Sequence, residues 1–228
     1  MKTKSILKVL FRGTVIFTLA ALISSCKKDD IDDSGSANLK VVNASPTSTP
    51  QSFYLAGQAV VQGGLSYGNA SDYIITNSGN NLEAQFRNEG SSTAYADDRF
   101  DIDNGKTYTV FLAGEGQSAR VQLYQDDLTA PAGGQVKVRF IHLSDAAPDN
   151  VDIRRSSGDN LVTNLGRNVA SNYVSMAPGI LSLQVFAAGQ STALGNFDLS
   201  AFLPDKIYTV FITGTAPGSI AVNQIVHN

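Results

Sequence analysis

The feature that most limits how this chain can fold is that it repeats itself at a spacing of about 100 residues. The stretch "KTYTVFLAG" (106–114) returns as "KIYTVFITG" (206–214), and "ASDYI" (70–74) returns as "ASNYV" (170–174) at the same spacing. "LKVVNASP" (39–46) aligns with "VRFIHLSD" (138–145) at a spacing of 99. Solenoid units run ~20–50 residues, so a period this long is a whole domain in tandem. Leu82, Ala84 and Phe86 alternate with Glu83, Gln85 and Arg87. Leu181, Leu183 and Val185 match them at a spacing of 99, so the register slips by one residue between the blocks. Without compensation such a slip would turn the buried face outward.

Each copy reads as strand, turn, strand. Period-2 runs such as "LEAQF", "YTVFL", "VKVRFIHL" and "LSLQV" sit between turn signals that include Asn104-Gly105, Pro178-Gly179 and Pro217-Gly218. No stretch of the body sustains a capped helical period. Charged residues make up only 16% of the chain, and the β-branched and aromatic residues suit pleated, half-buried surfaces. About seven short strands in ~90 residues predict an all-β chain of two tandem immunoglobulin-like β-sandwich domains. The first is expected over 38–128 and the second over 136–228. "TAPAGGQ" (129–135), rich in Pro, Ala and Gly, is the expected linker.

The N-terminus predicts an address and an anchor. "MKTKSILKVLFRG" is basic, and "TVIFTLAALI" is an apolar run too short to span a bilayer, which takes ~20 residues. Ile23-Ser24-Ser25-Cys26 closes the run and resembles the lipobox of bacterial lipoproteins. That resemblance implies cleavage after residue 25 and lipid attachment at Cys26, the only cysteine in the chain. The segment 1–25 is then a lipoprotein signal peptide, and 26–37, "CKKDDIDDSGSA", a lipidated cysteine followed by a flexible acidic tether. Lys27-Lys28-Asp29-Asp30 resembles the charged export signal of Bacteroidota surface lipoproteins. It implies an outer-membrane protein facing the cell exterior.

The pattern "VVNASP … Y … YTVF.AG", with "VRFIHLSDAAPDNVDI" opening the second copy, resembles domain-of-unknown-function family 4397 (DUF 4397). The family implies a secreted or lipid-anchored β-protein, and it carries no agreed activity or catalytic residues to transfer.

Candidate chemistry is sparse. A single cysteine excludes an internal disulfide, and two histidines leave little for a metal, so neither metal nor cofactor is expected. Residues 26–228 hold 13 bases against 20 acids, a net of −7, which gives no electrostatic reason for nucleic-acid binding. His142, Ser144 and Asp145 lie close together in sequence, but a triad needs an oriented base and an oxyanion hole. The first copy carries Asn43 where the second has His142, so the fold does not require an imidazole. "DDRFDIDNGK" (97–106) departs from a calcium loop in its glycine position and final acid. "GEGQSA" (114–119) leads into a strand and not into the helix a dinucleotide site needs. The expected function is therefore non-catalytic: binding, adhesion or scaffolding in the cell envelope, with a membrane contact through the anchor and an envelope protein as partner. The alternative is a glycan-binding accessory lipoprotein of a polysaccharide-uptake system. For a sugar, Tyr54 and Tyr67 are the candidate contacts, since the chain has no Trp.

Overall fold

Strands buried on both faces and strands that alternate between core and surface divide the labour in this protein. The structure is a computed structural model and describes residues 28–216 and 218–228. Among them every regular element is a strand except a 3-10 turn at Gly116–Ser118. The N-terminal half contains β1 (Asp30–Asn43), β2 (Gln51–Leu55), β3 (Gln58–Leu65), β4 (Ile74–Asn88), β5 (Ala94–Ile102), β6 (Thr107–Ala113) and β7 (Arg120–Gln125). The C-terminal half contains β8 (Val136–His142), β9 (Asn150–Arg155), β10 (Asn160–Gly166), β11 (Val174–Met176), β12 (Ser182–Ala187), β13 (Ala193–Asp198), β14 (Ile207–Thr213) and β15 (Ala221–Val226).

The second half repeats the strand order of the first. One layer runs β10-β9-β12-β13 and the other β11-β8-β14-β15. In the first half the corresponding layers are β3-β2-β4-β5 and β4-β1-β6-β7, because the long β4 belongs to both. Within β4, Gly79 lets β1 approach closely. A Cβ there would lie 2.3 Å from the Asp30 carbonyl oxygen. In the second half Pro178-Gly179 completes the break, and β4 is replaced by β11 and β12. The replacement is one residue shorter, which is the slip seen in the sequence. Leu82, Ala84 and Phe86 and their counterparts Leu181, Leu183 and Val185 are all buried.

Both halves also share local devices. β1 pairs with β6, and β8 with β14, in parallel. Tyr108 and Tyr208 each accept a hydrogen bond from a backbone N–H five residues upstream, at Asp103 (3.2 Å) and Leu203 (3.0 Å). This is the corner that fixes entry into such a strand in immunoglobulin-like sandwiches. The repeated "ASxY" segment plugs the opening strand. Ser71 Oγ accepts from Val41 N and Ser171 Oγ from Phe140 N, while Ala70 and Ala170 form isolated bridges to Val42 and Ile141.

Three apolar cores lie between the four layers. One fills the first half (Leu39, Val41, Phe53, Phe86, Val110, Leu112) and one the second (Val138, Phe140, Ile153, Val185, Val210, Ile212). The third joins the halves: Val42, Ala44, Phe111, Ala113, Ile141, Leu143, Phe211 and Ile225. Phe111 and Phe211 meet edge-on at 5.4 Å between centroids, at equivalent positions of the repeat. β6 and β14 are consequently buried on both faces, and each carries a continuous apolar run, Val110–Ala113 and Val210–Ile212, instead of alternating.

Two expected boundaries change. The segment 26–37 was expected to be a flexible tether, but β1 already begins at Asp30 and pairs with β4 through Asp30, Ile31 and Asp32. The acidic residues find partners there: Asp29 accepts from Glu83 N at 2.8 Å and pairs with Arg99 at 2.9 Å. The linker 129–135 is also fastened. Lys137 Nζ donates to Asp127 Oδ2 (2.5 Å) and to the Thr129 carbonyl, and Gly134 N donates to Asp205 Oδ1. It leads directly into a strand that packs against the first half.

Candidate functional site

Cys26 and Lys27 lie outside the described residues. Of the remaining export-signal positions, Lys28 is exposed, Asp30 is at the start of β1, and Asp29 is tied to Arg99. Tyr54 lies on β2 with its ring half-exposed and the Arg87 guanidinium 4.0 Å above it. Tyr67 is half-buried, and its hydroxyl is bonded within the fold. Its hydroxyl shares a hydrogen bond with Thr213 Oγ1 (2.8 Å) and accepts from Asn223 Nδ2 (3.0 Å), so it pins the two halves together. An apolar groove of about 240 Å³ opens beside the β2–β3 turn and the first residues of β4, with Ile75 on its rim.

His142, Ser144 and Asp145 are brought together as a loop clasp. His142 is fully buried; its Nε2 bonds the Pro148 carbonyl at 2.8 Å and its Nδ1 accepts from Ser144 N at 3.3 Å. Asn43 performs the same task in the first half, where its Oδ1 accepts from Ser45 N at 3.0 Å. Ser144 Oγ donates to the Gly214 carbonyl, and Asp145 pairs with Arg120 at 2.9 Å across the halves. Burial pushes the His142 imidazole below its ordinary pKa. Asp101 of the acidic run 97–106 accepts from Asn81 N, and Asn104-Gly105 makes the turn into β6. No cluster of three metal-ligating side chains occurs among the described residues.

The most elaborate polar constellation was not singled out by sequence reasoning. It lies in the seam between the halves, around Asp126 and His227. These two follow β7 and β15 at matching positions, each donating its backbone N–H to the residue opening the neighbouring strand, Thr107 or Ile207. The side chains form a closed ring. Arg139 Nε donates to Thr209 Oγ1 (2.8 Å), and Thr209 Oγ1 donates to His227 Nε2 (2.7 Å). His227 Nδ1–H donates to Tyr73 Oη (2.6 Å), Tyr73 donates to Asp126 Oδ2 (2.7 Å), and Arg139 Nη2 closes the ring on Asp126 Oδ1. Thr109 Oγ1 adds a further bond to Asp126 Oδ2 at 2.7 Å. Because each hydroxyl has a single proton, these directions hold His227 as the neutral Nδ1–H form.

Electrostatics agree with that proton placement. Burial, reinforced by Arg139 and Lys40, takes His227 down to about 3. Burial raises Asp126 while Arg139 pulls it back, and burial pushes the Tyr73 and Tyr124 hydroxyls far up. Lys40 stands 4.7 Å over the Tyr73 ring and donates to the Ser71 carbonyl. A signal for this cluster existed in the sequence. At equivalent positions of the repeat, Lys40 faces Arg139 and Asp126 faces His227, so the copies differ where they keep polar groups. Nothing local says that those positions meet.

A family model described as "Domain of unknown function (DUF4397)" matches residues 37–154 in one copy. No curated protein matches the chain. Several solved structures show a weak similarity to the chain, three of them as follows. The Bacillus anthracis TIE protein is 11% identical with a TM-score of 0.25; the match covers 82% of this chain and 34% of that protein, so the chain spans about a third of it. A carbohydrate-binding module of family CBM26 from Eubacterium rectale Amy13K, in complex with maltoheptaose, is 12% identical with a TM-score of 0.29 and coverage of 82% and 95%. A Bacteroides uniformis protein provisionally assigned to cell adhesion is 12% identical with a TM-score of 0.29 and coverage of 86% and 98%. Likeness at this level carries no activity across.

Proposed function

The chain belongs to the DUF4397 family, and from that premise we propose that it is a cell-envelope lipoprotein that works by binding and not by catalysis. Its two halves are tandem immunoglobulin-like sandwiches joined back to back, and it serves in adhesion or scaffolding at the outer membrane. One observation carries the non-catalytic reading. His142, Ser144, Asp126 and His227, with the Arg139 guanidinium beside them, are all buried and all spent on hydrogen bonds that hold loops or halves. What faces the surroundings is loops and outer sheet faces.

The docked acidic segment refines the anchoring. Between Cys26 and Asp29, the first ion-paired residue, lie only three peptide steps, at most ~11 Å of chain. A lipidated Cys26 would hold the first half against the membrane surface, with the second half further out. The test is fractionation and protease shaving of intact cells. Cys26→Ser should release the protein or leave it unprocessed, and a variant that stays processed and membrane-bound refutes the anchor. Replacing Lys27, Lys28 and Asp30 by Ala should leave it anchored but hidden from protease. A shaved triple variant removes the surface location alone.

A further inference from the structure

The two halves fill one place in the sandwich differently. It lies where β3 ends one layer of the first half and the first residues of β4 end the other. Leu55 there has Arg155 as its counterpart, since Leu55 pairs with Ala84 and Arg155 with Leu183, the residue matching Ala84. Thr76 has Met176 as its counterpart at a spacing of 100. In the second half Arg155 Nη2 reaches Met176 Sδ at 3.7 Å, so a long side chain crosses the place. In the first half the shorter Leu55 and Thr76 leave the apolar groove of about 240 Å³ open. The closure in one half shows that the fold does not require the opening in the other.

Two large aliphatic side chains on this groove are left in water. Ile75 is 75% exposed and Ile31 39%. A single exposed isoleucine needs no explanation, but two on one apolar groove make a patch of the kind that meets a partner. Position says which partner. Ile31 follows Cys26 by five residues, at most ~18 Å of extended chain. Asp29, between them, is held by Arg99 and the Glu83 N–H, so the chain from the cysteine arrives beside the groove. A lipidated Cys26 sets this groove at the bilayer. With the anchor supplying the encounter, the contact needs little affinity of its own. Charge defines its nature. Asp30, Asp32 and Asp33 are exposed nearby and would be repelled by anionic headgroups, so what the surface offers a membrane is apolar.

We propose that this groove is a membrane-contact surface. In the anchored protein Ile75 and Ile31 enter the acyl boundary of the bilayer that holds Cys26, and a lipid acyl chain lies in the groove. This rests on the lipoprotein reading above and adds which face of the first half turns to the membrane.

The test uses the lone cysteine. Lipidation consumes the Cys26 thiol, so Ile75→Cys gives the anchored protein a single reactive thiol. The full chain, purified from membranes, is labelled there with an environment-sensitive dye. It is then reconstituted in phosphatidylcholine vesicles that carry spin-labelled acyl chains. Ile180→Cys, a similarly exposed site in the second half, is the reference. The dye at 75 should emit to the blue and be quenched several-fold more strongly than at 180, with no change on adding salt. Leu55→Arg with Thr76→Met rebuilds the second half's closure, and the folded variant should lose most of the quenching at 75. Unchanged quenching in that variant, folded by circular dichroism, overturns the acyl chain in the groove. If the variant does not fold, the comparison of 75 with 180 decides alone. Equal, weak quenching at 75 and 180 overturns the surface and leaves the anchor standing. A blue shift at 75 without quenching means that protein covers the groove, a second copy included, and also overturns the proposal. Failure of the anchor is read separately: the parent protein would then take the dye at Cys26, and both readings fall.

Discussion

Acid should separate the halves of this protein through His227. The imidazole is buried, gives its Nδ1 proton to Tyr73 and accepts from Thr209, so it has no room for a second proton beside Arg139 and Lys40. Its pKa falls from 6.5 in the unfolded chain to about 3 in the fold. Below pH 6.5 the unfolded chain takes up a proton that the folded one refuses. Stability is therefore complete above pH 6.5 and is lost as pH falls towards 3. The loss is about 1.4 kcal/mol per pH unit and ~5 kcal/mol over the whole window, comparable with the total stability of a small domain. His142, also depressed by burial, adds loss in the same direction. Asp126 works the other way. Its raised pKa means the folded state binds that proton first, so the slope should flatten above pH 3.8 as Asp126 takes up its proton. The assay is urea unfolding followed by far-ultraviolet circular dichroism at pH 7, 6, 5 and 4, on wild type and His227→Gln. The variant should lose ~1–2 kcal/mol at pH 7 from its broken bonds, and its slope below pH 6 should be shallower by about one proton. Equal slopes in the two proteins would refute the assignment of a neutral, ring-locked His227.

Three further outcomes follow from the same geometry. Phe111→Ala or Phe211→Ala should each cost about 3–5 kcal/mol, and the double variant less than their sum, because both remove the same contact; denaturant melts of the four proteins measure this, and strict additivity would deny the shared core. Arg139→Met should cost about 3–5 kcal/mol by leaving Asp126 buried without its cation, and adding Asp126→Asn should recover part of that; the stabilities of the single and double variants decide it. His142→Ala should cost ~1–3 kcal/mol, whereas His142→Asn should recover most of it because Asn43 already does this work in the first half; an asparagine no better than alanine in thermal melts would show that the imidazole does something more.

Much of the fold was legible in the residues. The 100-residue repeat, the strands between Gly, Pro and Asn turns, and the one-residue slip before Leu181 are local patterns, and each strand carries its own period and its own punctuation. That the fold needs no imidazole at position 142 was readable too, since Asn43 stands there in the first copy; the clasp itself appears only in the structure. Three things were not readable. The acidic run after Cys26 looks like a solvated tether because charge and small residues predict that. It is docked as a strand where Arg99 and the Glu83 N–H, 54 or more residues away, donate to the Asp29 carboxylate. The continuous apolar runs of β6 and β14 state that both faces are covered without naming the cover. The seam ring joins Tyr73, Asp126, Arg139, Thr209 and His227, whose identities look like ordinary strand and strand-end residues until the chain is folded. Sequence determines what a strand face needs, because periodicity and composition are local. Which partner meets that need is decided by tertiary structure, because buried hydrogen bonds and apolar contacts between residues 100 apart leave no local mark.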